Sequence, residues 1–508
     1  MRLGMHSRVN SQEPTVKYSA VGQSVSSIAS LRFSSKTPSS VTSFELPRPK
    51  PWLMRLMSPL NQWLFLSGLP VLRSIKGIKA IPGLGGVMDV TTLDIPAADL
   101  QRLKKAINPK TAAFIGPNHP EFMTDWVMDK VVLDPMAPKL ACWASHEVIS
   151  SAGSWMKRFW LSHNVIGNNG GEKARRYSID WAKQGNAVLL HPEGTVHWTG
   201  DYVHRLFPGI AEMATQAAVE LREKGDKRKV YTVPIVWKMQ FKSDVSPALH
   251  REIQLIEKAL KLPGGESKGK LPPLGERFAK LQWHILMQQV EKYGSSLDRT
   301  SEMALTLGEW QPVHFFDRQQ DLQALLLAEL TAKYPVKTDG EPDQIAHRLT
   351  QAIQTRLAEV KKAPSSSEQQ ETLSVLKRDR DKAAEIKRLS GFTRSVYNTP
   401  TWTQEQIAEC LKRIRRDLVK QGKWNQWHNL MPSPVGPRVA RIRVAEPIDV
   451  SEALEQAGGQ VNPIFVDQLL QTHRGRLQGA LDKINQEFAS QMQALAVKNP
   501  WFKPVKQS

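Results

Sequence analysis

Cysteine is almost absent: the 508 residues hold two, Cys142 and Cys410, far apart and with no CxxC partner. That excludes a disulfide framework and a thiolate zinc site, and it suits a reducing compartment. Long apolar runs are missing too. No segment offers the ~18 uninterrupted apolar residues that a spanning helix requires. Nucleic-acid modules are lacking: there is no Cys/His finger, no basic region running into heptads and no RNP-type strand, so no nucleic-acid partner is expected. No His/Cys/Asp trio has metal-ligand spacing, so no metal is expected either. A fixed-period repeat, the mark of a solenoid, is also absent. Acids are scarce in residues 1–45, where Glu13 is the one acid before Glu45 among about a dozen serines. Such a tail cannot build a core and is expected to be disordered. A Ser-rich organelle transit peptide and an ordinary bacterial tail both fit it.

What the chain does have is positive charge, +20 at pH 7, which attracts lipid headgroups or phosphorylated molecules. Its 41% hydrophobic content is enough for a packed interior, and its length suggests two or three units. Residues 46–75 contain the most apolar stretch, PWLMRLMSPLNQWLFLSGLPVL (51–72), interrupted by Arg55, Pro59, Asn61 and Gln62. Trp52 and Trp63 suit headgroup depth, and Arg48, Lys50, Arg73 and Lys76 flank the segment. An interfacial helix on an anionic membrane surface is expected, with packing on the protein's own core as the alternative.

Residues 76–244 alternate short apolar strands with amphipathic helices. Strands are expected at 112–118, 140–145, 163–167, 186–190 and 230–237, and helices at 150–161, 172–185 and 207–225. This alternation predicts an α/β unit with a mixed, largely parallel sheet flanked by helices. Residues 245–435 turn helical, with apolar spacing in 246–262, 278–294 and 343–362 and linker composition at 272–276 and 363–370. Residues 436–508 return to a strand, VARIRVAEPIDV (439–450), and close on a helix over 466–495, completing the α/β unit.

Chemistry concentrates in GPNHPEFMTD (116–125). A strand delivers His119 after a Gly-Pro turn, and Asp125 follows after five intervening residues. An imidazole can take a hydroxyl proton near neutral pH, and a carboxylate on its far nitrogen fixes the tautomer. Alone, the spacing is weak. LLHPEGTVHW (189–198) then places Pro192-Glu193-Gly194-Thr195 after an apolar strand, FPGIA (207–211) opens a helix, and VPIVW (233–237) supplies another strand.

The ordered set NH-P-x-x-x-x-D, P-E-G-T, F-P-G-I-A and V-P-I resembles the glycerolipid acyltransferase family, typified by lysophosphatidate acyltransferase. The resemblance covers roughly residues 76–240, with an echo in RVAEPIDV (443–450). It implies His119 as base and Asp125 as its orienter, with Asn118, Glu193, Gly194, Thr195 and Arg205 on the substrate side. It also implies acyl-CoA or acyl carrier protein as co-substrate, no bound cofactor, and a glycerolipid hydroxyl as acceptor. The implied location is the cytoplasmic face of a membrane, peripheral or monotopic, or a plastid if the tail is a transit peptide. Three departures stand out. The commonest family interval between His and Asp is four residues; Val196 and His197 follow Thr195 where Arg is usual; and Asn168 and Asn169 stand where a cation is usual. Lys173, Arg175, Arg176 and Arg205 are the local candidates to replace the missing cations, unless the acceptor carries no simple phosphate. A non-phosphorylated or amine acceptor, and a catalytically inactive membrane-bound scaffold, are the alternatives. His191 is expected as a strand-end histidine with a satisfied hydrogen bond. His197 and His204 are expected at the surface.

Overall fold

The computed structural model describes residues 44–67, 88–121, 123–150, 153–263, 271–294, 315–362, 366–419 and 435–502. Most of the Ser-rich tail and residues 68–87, including Arg73 and Lys76, lie outside the described residues. Val41–Ser508 forms one compact unit.

Strands β1 (Val90–Asp94), β2 (Thr111–Pro117), β3 (Ala141–Ala144), β4 (Val165–Gly167), β5 (Ala187–Leu189) and β6 (Lys229–Phe241) precede the helical insertion. Within and after it come β7 (Thr401–Trp402), β8 (Arg438–Val444), β9 (Ile448–Asp449) and β10 (Val497–Lys498). Eight of these make one sheet in the order β1-β8-β6-β2-β5-β3-β4, with β9 added to β6. Pairings are parallel except for β6 with β8 and with β9, which are antiparallel. The mixed, largely parallel α/β sheet expected from the alternation is therefore present, and the return strand β8 sits inside it.

β2 is buried along its whole length. That follows from helices on both faces, which let a strand read as a continuous apolar run. Helices Gly171–Lys183, Gly209–Glu223 and Pro463–Glu487 cover one face, and Ala97–Ala106 with Thr124–Leu133 covers the other. Gly185, at φ +82°, ends the first of these helices as its composition predicts. The final helix expected over 466–495 is broken at Phe488 into Pro463–Glu487 and Ala489–Ala494.

Helices Ser246–Ala259, Leu274–Gly294, Phe315–Lys333, Pro342–Val360, Ser367–Ser390 and Gln404–Leu418 gather around a third core, in which Phe278, Tyr397, Trp402 and Trp501 are buried. Two stretches read as linkers are partly helical. Leu274 opens its helix inside 272–276, and Ser366 caps Ser367–Ser390 by accepting the N–H of Gln369. An N-cap serine satisfies an otherwise orphaned helix donor, so linker composition and helix start coincide there. Helix Gln404–Leu418 is tied to the sheet because Glu405 and Gln404 accept the N–H groups of Phe241 and Val245 at 2.7 and 2.8 Å.

Near the N-terminus, helix Pro51–Leu60 runs into a π-helical segment, Asn61–Ser67. Met54, Asn61 and Leu66 are buried, while Trp52 is 64% exposed and Trp63 45%. The buried face packs on the protein's own core, and the opposite face carries the two exposed tryptophans. Among the described residues no helix is long and apolar enough to cross a membrane.

Candidate active site

β2 and β5 end side by side, so their loops meet at the carboxyl edge of the parallel strands, where α/β sheets usually bind ligands. Gly116 pairs with Pro234 of β6. It also leaves no room for a side chain: a Cβ there would lie 2.6 Å from both His473 Nε2 and Ile210 Cδ1. The Gly-Pro, F-P-G-I-A and V-P-I phrases are thus packed into one place. His473, from the C-terminal helix, also reaches the Gly116 carbonyl at 2.9 Å.

Asn118 is buried and extends the ladder with its side chain. Its amide nitrogen donates to the Trp237 carbonyl and its oxygen accepts the Trp237 N–H, both at 3.0 Å. Its own N–H still reaches the Ile235 carbonyl at 3.2 Å, and His119 follows beyond the end of the strand. Met123, at φ +63°, turns the chain into helix Thr124–Leu133 and sets Asp125 in its first turn. A non-glycine residue in that region costs about 1–2 kcal/mol, a local strain held by the packing around it. The turn closes the five-residue interval: Asp125 Oδ2 pairs with His119 Nδ1, and Asp125 Oδ1 accepts the Trp126 N–H at 2.6 Å. The Asp125 side chain is 3% exposed and that of His119 is 17%. The carboxylate is sealed and the imidazole is partly open, with Nδ1 committed to Asp125.

His191 stacks on His119 with ring centroids 4.1 Å apart. Its Nδ1 meets the Asn118 carbonyl at 3.1 Å, which is the satisfied strand-end hydrogen bond expected. Burial, then the neighbouring His119, pushes its pKa down to about 4, so the ring is neutral. Asp129, one turn beyond Asp125 and 3.4 Å from His191 Nε2, is raised well above the carboxylate range by burial and by Asp125. Ionisation of Asp129 is thus disfavoured beside the pair that Asp125 makes with His119.

Glu193 is buried, and both its oxygens are committed. Oε1 accepts the His119 N–H at 2.8 Å and Oε2 the His204 N–H at 3.1 Å. Burial pushes its pKa up to about 7 against those two donors. Gly194 sits at φ +70°, and a Cβ on it would lie 2.7 Å from the Phe207 ring. Thr195 accepts from Lys387 Nζ at 2.6 Å. Arg205 is exposed and donates to Gln344 of the insertion at 3.2 Å. The dyad, Asn118, Glu193 and Gly194 therefore form one cluster, while Thr195 and Arg205 turn toward the helical lobe.

No family model and no curated protein sequence matches this chain.

Two expectations need correcting. His197 and His204 are buried, not superficial, and stack with centroids 3.6 Å apart, because the loop after Thr195 folds beneath the helical lobe. Burial lowers both, His204 to about 3. The local cations are also occupied: Arg175 pairs with Glu212 at 2.5 Å, and Arg176 with Asp180 and Glu220. Lys173 is exposed on the outer face of its helix.

Among the described residues, two groups have metal-ligating atoms within 4.8 Å of one another, His119–Asp125–His191 and Glu193–His197–His204. The first has its ligand atoms in the dyad; in the second, both Glu193 oxygens already accept backbone N–H groups.

Sequence reading missed Glu121, two residues after His119. It is buried and takes Arg438 Nη1 on both oxygens at 2.9 Å, together with Lys412 Nζ. Burial would raise its pKa, but Arg438 and then Lys412 outweigh that and hold it at about 2. Lys412 is itself lowered, chiefly by burial, so Arg438 is the stronger partner. The triad locks the His119 loop to the insertion and to β8. The acid next to His-Pro is visible in the sequence, but its partners lie 291 and 317 residues away.

Proposed function

We propose that the protein is an O-acyltransferase that moves a fatty acyl group from acyl-CoA or acyl carrier protein to the hydroxyl of a glycerolipid acceptor, such as lysophosphatidate or glycerol 3-phosphate, in phospholipid biosynthesis. The observation that carries this reading is the pairing of a sealed Asp125 with a partly open His119 at the end of β2, assembled with the other phrases of the family pattern.

In the proposed reaction, His119 Nε2 removes the acceptor hydroxyl proton as the oxygen attacks the thioester carbon. Asp125 steadies the imidazolium that forms. The N–H groups of His119, Gly194 and His197 already have acceptors. Thr195 and Val196 have no intramolecular acceptor among the described residues, so their N–H groups are the donors we assign to the tetrahedral oxyanion. Collapse breaks the carbon–sulfur bond, and His119 returns its proton to the leaving thiolate. No acyl-enzyme is needed. Glu193 acts as a positioning residue, since its contacts are to the backbone of His119 and His204.

Peripheral attachment to an anionic membrane surface belongs to the same reading, supported by exposed Trp52, Leu56 and Trp63 beside a basic chain. The test is thiol release from acyl-CoA in the presence of lysophosphatidate, glycerol 3-phosphate, a non-phosphorylated glycerolipid or an amine. Release dependent on one hydroxyl acceptor supports the proposal. Failure with every acceptor, and with acyl carrier protein as donor, would overturn it in favour of a scaffold.

A further inference from the structure

The cation that the family pattern supplies after P-E-G-T is missing from this chain, and of the local substitutes Arg175 and Arg176 are paired with acids while Lys173 and Arg205 are exposed. Yet a cavity of about 810 Å³ opens directly beside that motif, with Val196 and His197 in its wall. The volume is that of a small-molecule site. Its remaining walls come from the helical lobe, chiefly helices Leu274–Gly294, Ser367–Ser390 and Gln404–Leu418.

The lining is electrostatically one-sided. Each of its three carboxylates has its own arginine: Glu385 takes Arg388 Nε at 2.9 Å, Asp417 takes Arg416 Nε at 2.8 Å, and Asp381 takes Arg380 at 3.5 Å. Lys292, Lys387 and Arg413 remain as positive charge without a carboxylate partner in the lining. Lys387 is the most telling. Its ammonium donates to the Thr195 hydroxyl and, among the described residues, forms no ion pair. Burial and then Arg416 lower its pKa, against the opposing fields of Asp417 and Asp343. Arg413, buried nearby, is held by the Gly391 carbonyl and by Cys410 Sγ, and its Nη1 also reaches the carbonyl of His197 at 3.4 Å, so its guanidinium lies against the motif loop.

We propose that this cavity is a phosphate-binding site built by the insertion, in which Lys387 and Arg413 hold a phosphate ester beside the His119 loop. Anions gain most from charge-assisted donors in a partly desolvated pocket, and an ammonium fixed by a hydroxyl is preorganised to receive one. Two ligands share this chemistry, the acceptor's phosphate and the phosphates of coenzyme A. The position rests on the acyl-transfer reading, but binding does not require turnover, so the two can fail separately.

The test is calorimetric titration of the full chain with glycerol 3-phosphate, coenzyme A and 3′-dephospho-coenzyme A, using wild type, His119→Ala and Lys387→Gln. Wild type and His119→Ala should bind one of these ligands equally well, with Lys387→Gln at least tenfold weaker. Binding of glycerol 3-phosphate assigns the site to the acceptor. Binding of coenzyme A assigns it to the donor, and loss with the dephospho form locates the 3′-phosphate there. If Lys387→Gln fails to fold, exposed Lys292→Gln serves instead, with a smaller weakening and a shallower salt dependence expected. No binding by wild type, or binding unchanged in the folded variant, would overturn the proposal. Turnover that persists in a variant with unchanged binding would leave acyl transfer standing without this site. Phosphate binding without any turnover would leave the site standing without acyl transfer.

Discussion

Glu193 Oε1 accepts the backbone N–H of His119 at 2.8 Å, across 74 positions of sequence. The motif glutamate therefore orients the His119 loop, and its second oxygen ties the same loop to His204. Glu193→Ala leaves two backbone donors without their acceptor, at a cost of about 1–3 kcal/mol each. Steady-state kinetics should show kcat falling by tenfold or more, with KM less affected, and Glu193→Gln falling between. An unchanged kcat in Glu193→Ala would remove the positioning role.

The same carboxylate makes stability depend on pH. Burial raises Glu193 from an ordinary value of 4.5 to about 7. Between those values the native state holds a proton that the unfolded chain has released, so this contribution is complete below about 4.5 and is lost as pH rises through 7. Glu193→Gln cannot titrate. Unfolding free energies of the two proteins, compared pH by pH, should drift against wild type from 4.5 to 7 and then run parallel. The slope is at most about 1.4 kcal/mol per pH unit. A difference flat across that range would contradict the shift.

Glu121 neutralises two buried cations at once. Removing one member of such a group leaves uncompensated buried charge, typically ~3–5 kcal/mol. Glu121→Gln should lose stability of that size in chemical denaturation, with activity falling as the His119 loop loosens. A loss below about 1 kcal/mol would mean that water reaches Lys412 and Arg438.

The exposed rings near the N-terminus predict a separable membrane function. Replacing Trp52 and Trp63 together by serine should change stability by no more than about 0.5 kcal/mol per site, as is usual for surface positions. Co-sedimentation with anionic vesicles should fall severalfold, while turnover on a water-soluble acceptor is retained. Equal vesicle binding by the double variant would place the membrane contact elsewhere.

Much of this architecture was legible because its signals are local. The apolar run of β2 and the Gly185 cap are each encoded within a few residues, although Gly116 and Pro117, read as a turn, are the last residues of the strand. The largely parallel sheet and the return strand β8 followed from alternation and composition, whereas the order of the strands did not. What escaped is non-local. Helices Ser367–Ser390 and Gln404–Leu418 were not singled out, although they carry Lys387, Lys412 and Arg413, because their charged residues read as a solvated face. Lys387 meets Thr195 across 192 residues, and no spacing rule anticipates that. His197 and His204 misled for the same reason: polar residues in a loop read as surface until a helical lobe covers them.

The most direct test of the central claim is a double-mutant cycle on the dyad, reading acceptor-dependent thiol release from acyl-CoA in His119→Ala, Asp125→Asn and the double variant, each confirmed folded. If His119 is the base and Asp125 acts through it, His119→Ala should lose ~10²–10⁴ in rate, Asp125→Asn should lose a comparable amount, and the double variant should be no slower than His119→Ala. Wild-type release by folded His119→Ala, or losses that multiply in the double variant, would contradict the dyad as a single catalytic unit.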